Sequence, residues 1–69
     1  MTLPIFTNSN EAFEFTEQLT PELRLRLQLR REENLREARH AREAKDYDKG
    51  FKFATLAQYD REAMEGKLR

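Results

Sequence analysis

The chain has no cysteine, so no disulfide can staple it and no thiolate can hold a metal. One histidine, His40, leaves little for an imidazole site. Glycine occurs only at Gly50 and Gly66, and nothing resembles a glycine-rich loop that cradles phosphate. Between Ile5 and Thr55 the β-branched residues are limited to Thr7, Thr16 and Thr20, which works against strands. No window approaches the roughly 20 apolar residues of a membrane span. The opening MTLPIFTNSNEAF has no basic stretch followed by an apolar one, so no secretory signal is expected and the cytoplasm is the default compartment. With neither an activated nucleophile nor a cofactor cradle in view, the reading is of a protein without catalysis, cofactor or metal.

What the chain does have is charge, at 38% of 69 residues, balanced to a net of zero but unevenly placed. Residues 1–22 carry Glu11, Glu14, Glu17 and Glu22 and no base. Residues 23–45 carry Arg24, Arg26, Arg30, Arg31, Arg36, Arg39, Arg42 and Lys45 against Glu32, Glu33, Glu37 and Glu43. Residues 46–69 are balanced. Five Phe, two Tyr and a leucine-dense middle argue for a folded chain despite this polarity. A chain so short buries only about 60% of its unfolded surface, so its stability alone is marginal. Without disulfide or metal, association with another chain is the favoured remedy.

The order of elements follows from local chemistry. MTLPIFT reads as an extended arm over residues 1–7, with Leu3, Ile5 and Phe6 too apolar for a solvated tail. It is expected to lie as a strap across the protein's own helices or to dock on a partner. Asn8 and Glu11 have capping-box spacing, with Ser9 or Asn10 as alternative caps, before a short helix, about 9–19, in which Ala12, Phe15, Thr16 and Leu19 share a face and Phe13 points elsewhere. Thr20-Pro21-Glu22 starts a long helix, about 21–45, with cap, first-turn proline and an acid at the positive dipole end. Within it Leu23, Leu25, Leu27 and Leu29 alternate as in a strand. The strong start signal and good helix formers favour a helix, with Leu23 and Leu27 on one face and Leu25 and Leu29 about 200° away. A helix apolar on two faces serves more than one neighbour.

Further on, Ala38, Ala41 and Ala44 would allow close approach by another helix. Gly50, after DYDK, marks the expected break, the long helix ending near Asp46 and a third helix beginning around Asp48 to run over about 49–65; the alternative is one kinked helix that tolerates Gly50. The third helix is expected to bury Phe53, Leu56, Ala57, Ala63 and Met64, with Leu68 continuing the stripe. Asp60 falls in that stripe, either as a charged residue at its edge or paired with an arginine of the long helix; a functional use is the minor alternative. Residues 34–62 resemble one hairpin of the tetratricopeptide type, with Ala38, Gly50 and Ala57 at its small positions. Asn34, Glu37 and Ala41 replace that family's large residues and no second repeat occurs, so the match reads as the geometry common to alanine-lined hairpins.

The expected fold is therefore all-α: a short helix, then an antiparallel helical hairpin, in one small domain over 8–69 that completes a bundle by dimerisation. The expected function is a non-catalytic protein–protein interaction module, an adaptor, inhibitor or assembly factor that pairs with itself and with another protein. Phe13, Leu25 and Leu29 are the candidate partner surface. Arg24, Arg31, Arg39 and Arg42 are candidates for its polar rim or for an acidic partner. The alternative is a nucleic-acid-binding regulator using the arginine-rich helix 24–45, since arginine forks suit phosphate. Zero net charge and interleaved glutamates weigh against it. Glu37-Ala38-Arg39-His40 has the Glu-x-x-His spacing of bundle metal sites, but its arginines oppose a cation. The acidic first segment, lying along the basic helix within or between chains, would set register.

Overall fold

The computed structural model describes residues 3–66, and these are all-helical. Helix α1 spans Ser9–Phe15 and runs into a single 3-10 turn at Thr16–Gln18; α2 spans Pro21–Glu43 and α3 spans Tyr47–Glu65. Helices α2 and α3 pack against each other as a hairpin, and α1 rests on α3.

Each start is capped by its own side chain. Asn8 Oδ1 accepts from the Glu11 N–H at 2.9 Å. The returning bond of the capping box is displaced by one residue: Glu11 Oε1 accepts from the Thr7 N–H and hydroxyl, at 2.8 and 3.0 Å. Those donors hold the Glu11 carboxyl below its ordinary pKa, the Thr7 backbone bond contributing most. A depressed carboxylate stabilises above its unfolded pKa, and that contribution is lost as pH falls through the lowered folded value. Acidification below the usual carboxylate range should therefore loosen the Thr7–Glu11 link, read as a lower protection factor at the Thr7 amide relative to its intrinsic exchange at the same pH. A Glu11→Gln chain with the same exchange profile would refute the assignment.

Helix α2 starts as its sequence requires, with Thr20 Oγ1 accepting from the Leu23 N–H at 3.1 Å and Pro21 in the first turn. It ends earlier than residue 45 because Lys45 turns left-handed, at φ 62°. The Asp46 N–H then bonds the Ala41 carbonyl at 2.8 Å and the Lys45 N–H bonds that of Arg42 at 3.0 Å, a Schellman closure built on lysine. Asp46 also opens α3, its Oδ1 accepting from the Lys49 N–H at 3.3 Å. Three residues thus connect the helices, so the chain breaks ahead of Gly50, close to the expected Asp46–Asp48, and does not run through as one kinked helix.

Gly50 lies in the first turns of α3, buried against α2. A Cβ there would meet the Ala38 carbonyl oxygen at 3.5 Å and Ala41 Cβ at 3.7 Å, both ordinary contacts. Gly50→Ala should therefore stabilise the chain by up to about 1 kcal/mol through helix propensity. Lys45→Gly should add up to about 1 kcal/mol by relieving the left-handed lysine. Urea midpoints check both; a lower midpoint for Gly50→Ala would mean that the hairpin has no room for a methyl group.

The hairpin has two kinds of packing. Near the turn, Ala38, Ala41, Gly50 and Ala57 are buried, and the helices meet on small residues. At the open end, Phe6, Ala12, Phe15, Leu23, Leu27 and Ala63 form a core cluster, with Leu3, Leu19, Tyr59 and Met64 packed around it. Phe6 and Phe15 meet edge to face, 5.4 Å between ring centres. The segment before α1 therefore crosses the chain's own helices through Phe6, while Ile5 stays exposed. Gly66 closes α3 at φ 68°, where a Cβ would approach Thr16 Cγ2 to 3.1 Å, and its N–H bonds the Glu62 carbonyl. Phe53, Leu56 and Met64 are only half-buried on the apolar stripe of α3; the expected position of Leu68 lies outside the described residues.

Candidate interaction groove

Asp60 is the buried charge among the described residues, 2% exposed. Its Oδ1 accepts from Arg30 Nε at 3.1 Å and Nη2 at 2.7 Å, and Oδ2 accepts from Arg30 Nε at 3.2 Å and Asn34 Nδ2 at 3.1 Å. The Arg30 guanidinium also lies over the Phe6 ring, 5.6 Å from its centre. One network thus links α2, α3 and the amino-terminal strap. Both carboxylate oxygens of Asp60 are satisfied by protein donors, so the network reads as a latch.

The partner residues expected from sequence fall into three places. Leu25 and Leu29 are 55% and 57% exposed, pointing away from the buried Leu23 and Leu27. Arg24 turns inward along the surface, where Nη2 donates to the Met64 carbonyl at 2.8 Å and serves the negative end of α3. Phe13, Arg31, Arg39 and Arg42 line a common groove, about a quarter turn round α2 from Leu25 and Leu29.

That groove is two adjoining depressions of about 460 and 470 Å³ that share Leu35 and Ala54. Its floor is Leu35, Ala38, Ala54 and Ala57. Along α2 the wall carries Arg31, Arg39, Arg42 and Glu43; along α3 it carries Gln58, Arg61, Glu62 and Glu65; Phe13 closes one end. Among the described residues Arg31, Arg39 and Arg42 enter no ion pair, whereas Arg61 is held by Glu65 at 3.3 Å. Glu62 Oε2 accepts from Gln58 Nε2 at 3.3 Å, and its Oε1 is buried without a donor.

Sequence reasoning missed Ala54, the residue common to both depressions, because an alanine beside a small-residue stripe carries no chemical signal of its own. It also left unremarked Tyr47 and Phe51, which are 64% and 76% exposed on the early turns of α3. For Phe51 the signal was available: its helical position lies off the stripe defined by Gly50, Phe53 and Ala57.

The acidic first segment does not lie along the basic helix of the same chain. The backbone of helix α1 comes close to α3 and not to α2, which it meets only through apolar side chains; Glu11 is engaged with Thr7, and Glu14 and Glu17 enter no ion pair among the described residues. The reason is apolar: Ala12 and Phe15 are buried against the end of the hairpin, and this orients α1 regardless of its charges. His40 and Glu37 share no cluster of three or more metal-ligating side chains among the described residues.

Fold and groove together define a small three-helix protein in which a capped hairpin carries an open, arginine-walled groove. No protein-family model, no curated protein and no solved structure matches the chain. No described helix is long and apolar enough to cross a membrane.

Proposed function

We propose that this chain is a small, non-catalytic interaction module that associates with itself through the outer face of α2. The observation supporting this is the exposure of Leu25 and Leu29 on a helix whose other leucine pair is already buried. Fully removing such a side chain from water is worth about 1.5–3 kcal/mol, and these two start just over half exposed, so they favour pairing while the rest of the face must help offset the cost of association. Glu22 and Arg26, joined at 3.3 Å, and Arg36 flank this face and supply a polar rim.

Light scattering at micromolar concentration tests the reading. The chain should run as a defined oligomer, and Leu25→Asp should weaken association by about 100-fold or more, because each copy loses an apolar contact and buries a charge. Helicity should be unchanged. A compact wild-type monomer would overturn self-association, and equal loss of helicity in Leu25→Asp would place that leucine in the core. The nucleic-acid alternative draws support from the unpaired Arg31, Arg39 and Arg42, but Glu43, Glu62 and Glu65 share their groove. Failure to shift duplex or RNA at low salt would remove it.

A further inference from the structure

We infer that the groove along the α2–α3 seam receives an acidic amphipathic helix from a partner protein. This deepens the interaction-module reading, using a different face from the one proposed for self-association.

The groove has the dimensions of a helix seat. From Arg31 to Arg42 it runs about 16 Å along α2, roughly three turns of a docked helix. Its floor of Leu35, Ala38, Ala54 and Ala57 keeps side chains short, so a third helix can come close and bury its apolar stripe. Charge then selects the occupant. The α2 wall carries three cations, Arg31, Arg39 and Arg42, against one carboxylate, Glu43, and none of the three is neutralised by an ion pair among the described residues. A helix with acids along that edge would satisfy them with charge-assisted bonds. On the other wall, Glu62 Oε1 is buried without a donor and would accept one from an amide or lysine on the occupant's opposite edge. An apolar floor and three wall carboxylates fit a helix better than a phosphate backbone.

The test uses the full chain and two synthetic peptides of about 16 residues, long enough to cover the groove. Both are helical, with an alanine-leucine stripe; one carries glutamates spaced as Arg31, Arg39 and Arg42 are, the other lysines at the same positions. Fluorescence anisotropy should show the glutamate peptide binding at least about tenfold tighter than the lysine peptide, with the difference shrinking as salt rises. Amide shifts should centre on Ala38, Ala54 and Ala57. Ala54→Trp, at an exposed position that fills the groove, and the pair Arg39→Glu and Arg42→Glu should each weaken binding about tenfold or more with helicity retained. The Leu25→Asp chain should bind the glutamate peptide like wild type, so that loss of self-association and loss of groove binding are read separately. Equal affinity for both peptides, no binding of either, shifts centred on Leu25 and Leu29, or capture of RNA or duplex DNA in place of peptide would each overturn the proposal.

Discussion

Asp60→Ala should cost about 3–5 kcal/mol, most of what a chain of this length has to lose. The carboxylate takes four contacts from Arg30 and Asn34. Removing it strands a guanidinium whose side chain is only 23% exposed. Arg30→Met should be as damaging for the mirror reason, leaving a carboxylate at 2% exposure with Asn34 as its sole remaining partner in the network. The double variant Asp60→Leu with Arg30→Met should recover much of the loss, because neither desolvated charge is left behind and the volume is refilled. Urea unfolding followed by circular dichroism measures all three. Single variants that each lose under about 1 kcal/mol would show that the pair is solvated in practice and belongs with surface ion pairs.

Leu27→Ala should cost about 2–5 kcal/mol, whereas Leu25→Ala should change the stability of the single chain by no more than about 0.5 kcal/mol. Both are leucines on one helix, two residues apart. Leu27 has no exposed surface and touches the cluster of Phe6, Phe15, Leu23 and Ala63; Leu25 is more than half exposed. A truncated Leu27 leaves a cavity that the surrounding rings cannot close, since Phe6 and Phe15 are set edge to face. The melting temperature of Leu27→Ala should fall by more than about 10 °C, and that of Leu25→Ala at low protein concentration should hardly move. Similar losses at both positions, at low concentration, would mean that the outer leucine face is occupied within one chain.

These contrasts show which parts of the fold were legible in sequence. The start of α2 was, because cap, proline and glutamate act on backbone groups within one turn. So was the split of the four leucines into two faces, which follows from the helical period alone. The hairpin break was legible only approximately. Gly50 drew attention as the conformationally free residue, yet the residue that turns left-handed is Lys45, and Gly50 sits inside α3 against Ala38 and Ala41. A lysine in that role has no compositional signature; it is held by the two hydrogen bonds that close the end of α2.

The placement of α1 was misjudged for a different reason. Its glutamates and the arginines of α2 suggested pairing along the chain, since opposite charges are easy to count. Exposed pairs are worth little, however, and burial of Ala12 and Phe15 outweighs them. That burial draws α1 to α3. Asp60 shows the complementary case: its place in the stripe left open an exposed edge position or a pair with an arginine of α2, and the choice between them, like the partner's identity, depended on which turn of α2 faced it.

The sequence by itself determined the helical class, the capped beginnings of α1 and α2 and the two-faced leucine segment, because each depends on residues within a turn or two of one another. The tertiary structure alone decided that Arg30 and Asn34 meet Asp60, that α1 covers the open end of α3, and that Phe13, Arg31, Arg39 and Arg42 line one groove. Those relations join residues far apart in the chain, and only the angle and register at which α2 and α3 pack bring them within reach.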